Sequence, residues 1–187
     1  MILWRLLPWA PRAAPTEPGG ALWFPRELQG AGRHDNPARY GCLYAAEQPE
    51  SAVVEALAPF RATGRLSASM LVREGQPLAL TQLELDDHGG LVDLDSPQVL
   101  IDVRLRPSQV ATGARTVTQA YAERIFDEHP DALGLRWWST IEASFTNLTL
   151  YDRAVPHMRF IEATRLTVEH QAVREAAALL GLLVRER

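Results

Sequence analysis

Gly30-Ala31-Gly32-Arg33-His34-Asp35-Asn36-Pro37 leads into Leu43-Tyr44-Ala45-Ala46-Glu47 and then Glu55, and this ordering decides how the chain is read. Glycines beside Arg33 let the backbone turn tightly and approach a bound group closely. The apolar run after the loop reads as a strand over residues 41–45 that carries Tyr44. Gln48-Pro49-Glu50-Ser51 then opens a helix reaching about Leu57, with Pro49 suited to its first turn. A loop cation, a strand aromatic and a helical carboxylate thus follow one another along a loop–strand–helix unit.

Working outward, Ile2 to Leu7 reads as a first strand, with Arg5 on one face among apolar neighbours, and the Pro-, Ala- and Gly-rich segment to Gly20 reads as a loop. Residues 67–72 and 78–85 are expected strands. Gly89-Gly90 marks a turn between Asp86-Asp87-His88 and a short strand at 91–94. Ser96-Pro97 resembles a helix start, and Thr116 to Asp127 has the spacing of an amphipathic helix. Leu135 to Trp138 is short and apolar, residues 148–151 and 159–168 read as late strands, and Glu169 to Leu180 is a helix ended by Gly181. Interleaved strands and helices predict a mixed α+β fold, without deciding parallel or antiparallel order.

A chain of 187 residues is read as one domain, 1–187, able to bury a core. Its net charge of -4 argues against a surface that coats nucleic acid. The single cysteine, Cys42, allows no internal disulfide and fits a reducing cytoplasm. In its apolar setting it reads as a buried bystander. The five histidines show no metal-ligand spacing, so no metal is expected. The run Ile2 to Leu7 is broken by Arg5 and stopped by Pro8, too short for a signal-peptide core or a membrane span.

Three blocks carry a resemblance: Gly32-Arg33 with Asn36-Pro37; Leu43-Tyr44-Ala45 leading to Glu55; and Gly134-Leu135-Arg136-Trp137-Trp138-Ser139 with Asn147. Together the chain resembles the RES-domain family, named for arginine, glutamate and serine positions. The resemblance implies an ADP-ribosyltransferase-like fold with split central β-sheets and flanking helices. It also implies a toxin of a toxin–antitoxin pair that consumes NAD as substrate, and a helix-turn-helix antitoxin as partner. Transfer of ADP-ribose to a protein, and NAD or ADP-ribose binding without turnover, stay open as alternatives, as does self-association.

The chemistry of each position is consistent with that implication and also has a plainer reading. NAD carries two adjacent phosphates, which guanidinium groups bind with charge-assisted, bidentate bonds. Arg33 is the first candidate and Arg5 the second. The plainer readings are a solvated loop arginine and a cation paired with a structural carboxylate. Tyr44 can stack on nicotinamide or pack in the core. Cleaving the nicotinamide–ribose bond builds positive charge on the ribose, which a fixed carboxylate stabilises. Glu55 is the candidate, against a solvent-facing helical glutamate. Ser139 and Asn147 can position ribose or amide. Alternatively Ser139 caps a helix, with Glu142 completing a capping box, and Asn147 holds a turn. Trp137 and Trp138 suit an aromatic pocket or the core. Glu123 and Asp127 read as solvated helix charges.

Overall fold

The computed structural model describes residues 1–86 and 90–184. Its strands are β1 (Ile2–Pro8), β2 (Cys42–Ala46), β3 (Arg65–Leu66), β4 (Val72–Arg73), β5 (Gln76–Leu85), β6 (Val92–Asp93), β7 (Gly134–Trp138), β8 (Thr146–Tyr151), β9 (Met158–Arg165) and β10 (Leu183–Val184). Its helices are α1 (Pro49–Leu57), α2 (Pro97–Asp102), α3 (Pro107–Ala111), α4 (Arg115–Glu128) and α5 (Gln171–Leu180). The mixed α+β expectation holds. The chain divides into two compact units whose segments interleave. The first holds Met1, Phe24–Tyr44 and Leu85–Met158; the second holds Ile2–Trp23, Ala45–Glu84 and the chain from Arg159.

In the first unit β6 runs parallel to β7, and β7 runs antiparallel to β8, with Gly134 opposite Leu150 and Trp138 opposite Thr146. Helix α4 turns Thr118, Tyr121, Ala122 and Ile125 inward, the i, i+3, i+4, i+7 stripe of a helix with one buried face. That stripe joins Leu94, Val103, Val110 and Leu135 in one core cluster. Tyr40, Phe126 and Tyr151 pack as an aromatic trio with ring centroids 4.5 to 5.0 Å apart. Arg153 lies 3.7 Å over the Phe126 ring and donates to Phe126 O at 3.1 Å. It thereby serves a carbonyl in the last turn of α4, where the helix has no partner of its own.

In the second unit β1 pairs antiparallel with β5, Arg5 facing Thr81, and with the end of β2, Trp4 facing Ala46. β4 and β9 also pair with β5, and β10 runs parallel to β3. Helices α1 and α5 pack together. The first buries Val53, Val54 and Leu57; the second buries Ala172, Val173, Ala176, Ala177 and Leu180, and its alanines permit close approach.

Most expected elements form within a residue or two of their predicted ends. Residues 67–72 do not form the expected strand. Ala68–Leu71 is a 3-10 turn between two-residue strands, and only Leu71 of its four residues is buried. Met70 N–H donates to Ser67 O at 3.0 Å, a local turn bond that takes these main-chain groups away from a ladder. The turn expected at Gly89, with Asp87 and His88, lies outside the described residues. Among the described residues no helix is long and apolar enough to cross a membrane.

Gly134 sits where β7 and β8 come closest. A Cβ there would lie 2.3 Å from Thr149 O and 2.9 Å from Leu150 Cα, both main chain and unable to yield cheaply. Gly134→Ala is expected to lower stability by about 1–3 kcal/mol, the usual cost of overpacking. Urea unfolding, with the denaturant slope unchanged, checks this.

Candidate functional site

The loop of residues 30–36 has little side-chain bulk of its own, and its backbone is held from α4. Arg115, Thr118 and Gln119 lie at i, i+3 and i+4, on one side of the helix. Arg115 Nε donates to Ala31 O at 3.2 Å and Thr118 Oγ1 to Arg33 O at 2.5 Å. Gln119 Nε2 donates to Gly30 O at 3.0 Å and Gly32 O at 2.9 Å. Asn36 Nδ2 answers from the loop, donating to Gln119 O at 3.0 Å and to Tyr40 Oη at 2.7 Å.

His34 anchors the loop in the core. It is fully buried, with Nδ1 2.7 Å from Thr149 Oγ1 and Nε2 2.8 Å from Tyr121 Oη. The indole Nε1 of Trp137 donates to the same Thr149 oxygen at 3.2 Å. An indole N–H only donates, so Thr149 Oγ1 accepts from Trp137, and a hydroxyl oxygen with two lone pairs can still accept from or donate to His34. A neutral imidazole, with one N–H and one lone pair, is satisfied at both nitrogens by the Thr149 and Tyr121 hydroxyls. Burial first, and then the charges of Arg33 and Arg115, hold the His34 pKa well below its ordinary value.

Arg33 is itself buried. Its Nη1 donates to Val110 O at 2.9 Å and Thr112 O at 2.8 Å, carbonyls at the end of α3, and its guanidinium lies 4.9 Å from the Trp137 ring centroid. The solvated-loop reading of this arginine is therefore excluded. Tyr44 is half-buried, and its hydroxyl donates to Asp35 Oδ1 at 2.6 Å and accepts from His34 N–H at 2.9 Å. Asp35 Oδ2 accepts from the N–H groups of Gly30, at 2.9 Å, and Gly32, at 2.7 Å.

Ser139 and Asn147 lie on the β7–β8 hairpin, both buried. No helix follows Ser139. The Trp138–Thr146 pairing closes the hairpin just ahead of it, and its N–H donates to Phe145 O at 2.8 Å. Its Oγ accepts from Ile141 N–H at 3.1 Å, while Glu142 accepts instead from Ser144, so the capping box does not form. Asn147 faces Trp137 across the hairpin. Trp137 is buried under Arg33, and Trp138 packs at the edge of the core. The first unit thus gathers Arg33, Tyr44, Ser139 and Asn147 onto one loop, one strand and one hairpin, with Trp137 and Thr149 tying hairpin to loop.

Arg5 and Glu55 belong to the second unit. Arg5 is buried beside Leu3 and Leu7, and its Nη1 donates to Ala21 O at 2.7 Å. Burial pulls its pKa down to about 10, so it stays charged at neutral pH. Among the described residues it has no carboxylate at ion-pair distance. Glu55 is exposed on α1, one turn beyond the buried Ser51 and on another side of the helix from Val53 and Leu57. Cys42 is buried, and burial pushes its thiol pKa up, which matches an inert thiol. Glu123 and Asp127 form surface ion pairs with Arg39. No group of three His, Cys, Asp or Glu side chains able to hold a metal occurs among the described residues.

Sequence reasoning passed over His34, Asp35, Thr118, Gln119, Tyr121 and Thr149. Asp35 had a local signal. An aspartate three residues after Gly32 and five after Gly30 is placed to accept their N–H groups, as such residues do in turns. The others are identified only by their partners across the fold.

A neutral buried histidine has a consequence for stability. The unfolded chain takes up a proton near pH 6.5 that the folded chain refuses, so this contribution is complete above that pH and lost as pH falls below it. Lowering pH from 7.5 to 5.5 should remove about 1 kcal/mol through this group alone. Denaturant unfolding at both pH values checks it. His34→Gln, less stable overall, should lack that share of the pH dependence.

The chain is similar to a solved structure, that of the M. tuberculosis MbcT–MbcA toxin–antitoxin complex. The likeness covers 96% of this chain and 88% of that one at 18% identity and a TM-score of 0.63, and it concerns the fold. No curated protein matches the chain. The model of the RES domain matches residues 2–172, a stretch that draws on both units and contains Arg5, Arg33, Tyr44, Glu55, Ser139 and Asn147. The chain belongs to the RES domain family.

Proposed function

We propose that this chain is the toxin of a toxin–antitoxin pair and that it consumes NAD by breaking the nicotinamide–ribose bond. The observation that carries the reading is the arginine loop. Within a RES domain, Arg33 is buried, oriented by two carbonyls and a tryptophan, and joined to Tyr44 through its neighbours His34 and Asp35. Such an arrangement pre-orders a cation and an aromatic ring, the groups that a diphosphate and a nicotinamide require. Residues 2–172 matching a single family supports treating the two units as one functional domain.

In this reading Arg33 binds the diphosphate and Tyr44 stacks on nicotinamide. Ser139 and Asn147 hold ribose or the carboxamide. Arg5, buried in β1, supplies further positive charge. Glu55 is the catalytic carboxylate, which stabilises the oxocarbenium-like ribose as nicotinamide leaves. Water as acceptor gives ADP-ribose, phosphate gives ADP-ribose 1″-phosphate, and a protein side chain gives an ADP-ribosylated target. The solved toxin–antitoxin complex supports an antitoxin partner for this chain, which we take to be a helix-turn-helix protein that blocks the site.

Purified protein incubated with NAD, with and without phosphate, tests the reading by chromatography of the products. Nicotinamide release is expected, with the second product naming the acceptor. Glu55→Gln should lower the rate about 100-fold or more, as loss of a group that stabilises transition-state charge does. Intact NAD over hours, with binding measured by calorimetry, would replace the enzyme with a binding module.

A further inference from the structure

We propose that Asp35 is a positioning residue for Tyr44, coupling the direction of the tyrosine hydroxyl to the conformation of the arginine loop. Its consequence for NAD rests on the functional reading above; its structural content does not. The two oxygens of this carboxylate do separate work. Oδ2 takes both backbone donors, Gly30 N–H at 2.9 Å and Gly32 N–H at 2.7 Å. Oδ1 takes the Tyr44 hydroxyl at 2.6 Å. The tyrosine oxygen in turn accepts from His34 N–H at 2.9 Å, so the hydroxyl is held from both sides with its proton pointing at Asp35.

Three features make this arrangement specific to these residues. Asp35 is only 5% exposed, so a Tyr44 that swung away would strand a buried carboxylate oxygen without its donor. Gly32 has no side chain to intrude, and a Cβ there would lie 2.4 Å from Asp35 Oδ1 and 2.6 Å from Tyr44 Oη. His34, which supplies the second bond to the hydroxyl, is fixed through its ring by Thr149 and Tyr121. Tyr44 is therefore ordered before any ligand arrives, and ligand binding does not bear the cost of ordering it.

The division of labour between the oxygens supplies a selective variant. In Asp35→Asn the two glycine N–H groups require the amide oxygen at the Oδ2 position, which places the amide NH2 toward Tyr44. The loop contacts survive, but the tyrosine hydroxyl now meets two donors and its proton loses the carboxylate. Tyr44→Phe removes the hydroxyl, and the two substitutions together form a double-mutant cycle. Asp35→Asn alone should raise KM and Kd for NAD about tenfold, the effect of one unsatisfied buried polar group, with kcat changed much less. In the Tyr44→Phe background it should cost nothing further.

The ring resonances of protein carrying 13C-labelled tyrosine supply a readout that needs no turnover. The Tyr44 signals, identified by their loss in Tyr44→Phe, should shift in Asp35→Asn. Thermal unfolding should show the same coupling. An unmoved Tyr44 signal, or an equal loss from Asp35→Asn with and without the tyrosine hydroxyl, would overturn the proposal. If the native protein neither binds nor consumes NAD, the functional reading fails. The resonances and the unfolding cycle still decide the role of Asp35.

Discussion

Hydrogen bonds from α4 to the main chain of residues 30–36 are the constraint on which the candidate site depends. Ordering each residue of a loop costs about 1–2 kcal/mol of backbone entropy, and the glycines of this loop bring no side chain of their own to offset it. A single hydrogen bond returns about 1 kcal/mol net. Arg115, Thr118 and Gln119 supply four such bonds from one side of the helix, and Asp35 supplies two more from within the loop. The neighbouring stripe of α4, with Tyr121, Ala122 and Ile125, is core. One helix therefore transmits the rigidity of the packed interior to a loop that would otherwise move.

The electrostatics of the loop follow from the same arrangement. Arg33 is buried, and the groups at its Nη1 are carbonyl dipoles, with an aromatic face nearby. Carbonyls orient a guanidinium through its N–H groups. The pKa of His34 is held down by burial first and then by the charges of Arg33 and Arg115. The second unit repeats the theme at Arg5, a buried cation that donates to the carbonyl of Ala21. Both arginines fall within the residues that the RES domain matches.

The hairpin of β7 and β8 shows how packing and site are joined. Gly134 lets the two strands close tightly, which sets the register that faces Trp137 with Asn147. Thr149, two residues further along β8 and thus on the same face as Asn147, reaches His34. A change in that register by one residue would put Trp137 and Thr149 on opposite faces of the hairpin, so that they could not both reach the loop.

Local pattern determined much of this protein. The alternation in β1, Pro49 opening α1, Ser96-Pro97 opening α2 and the stop of α5 at Gly181 are short-range effects, and each was legible because its cause lies within a few residues. The loop–strand–helix unit that carries Arg33, Tyr44 and Glu55 was legible for the same reason, and so was the burial of Cys42. Residues 67–72 were misread because their main chain closes a turn, Met70 N–H onto Ser67 O, where a ladder was expected. The capping alternative for Ser139 fails because the strand that returns to pair with Trp138 lies beyond the span of a capping motif. Only the tertiary structure decided that Arg33 is buried on carbonyls 77 and 79 residues away, that His34 bonds partners 87 and 115 residues away, and that α4 holds the loop. The physical reason is that a side chain's character is written in the sequence, whereas the partner that satisfies it once buried is chosen by which distant segments the core brings together.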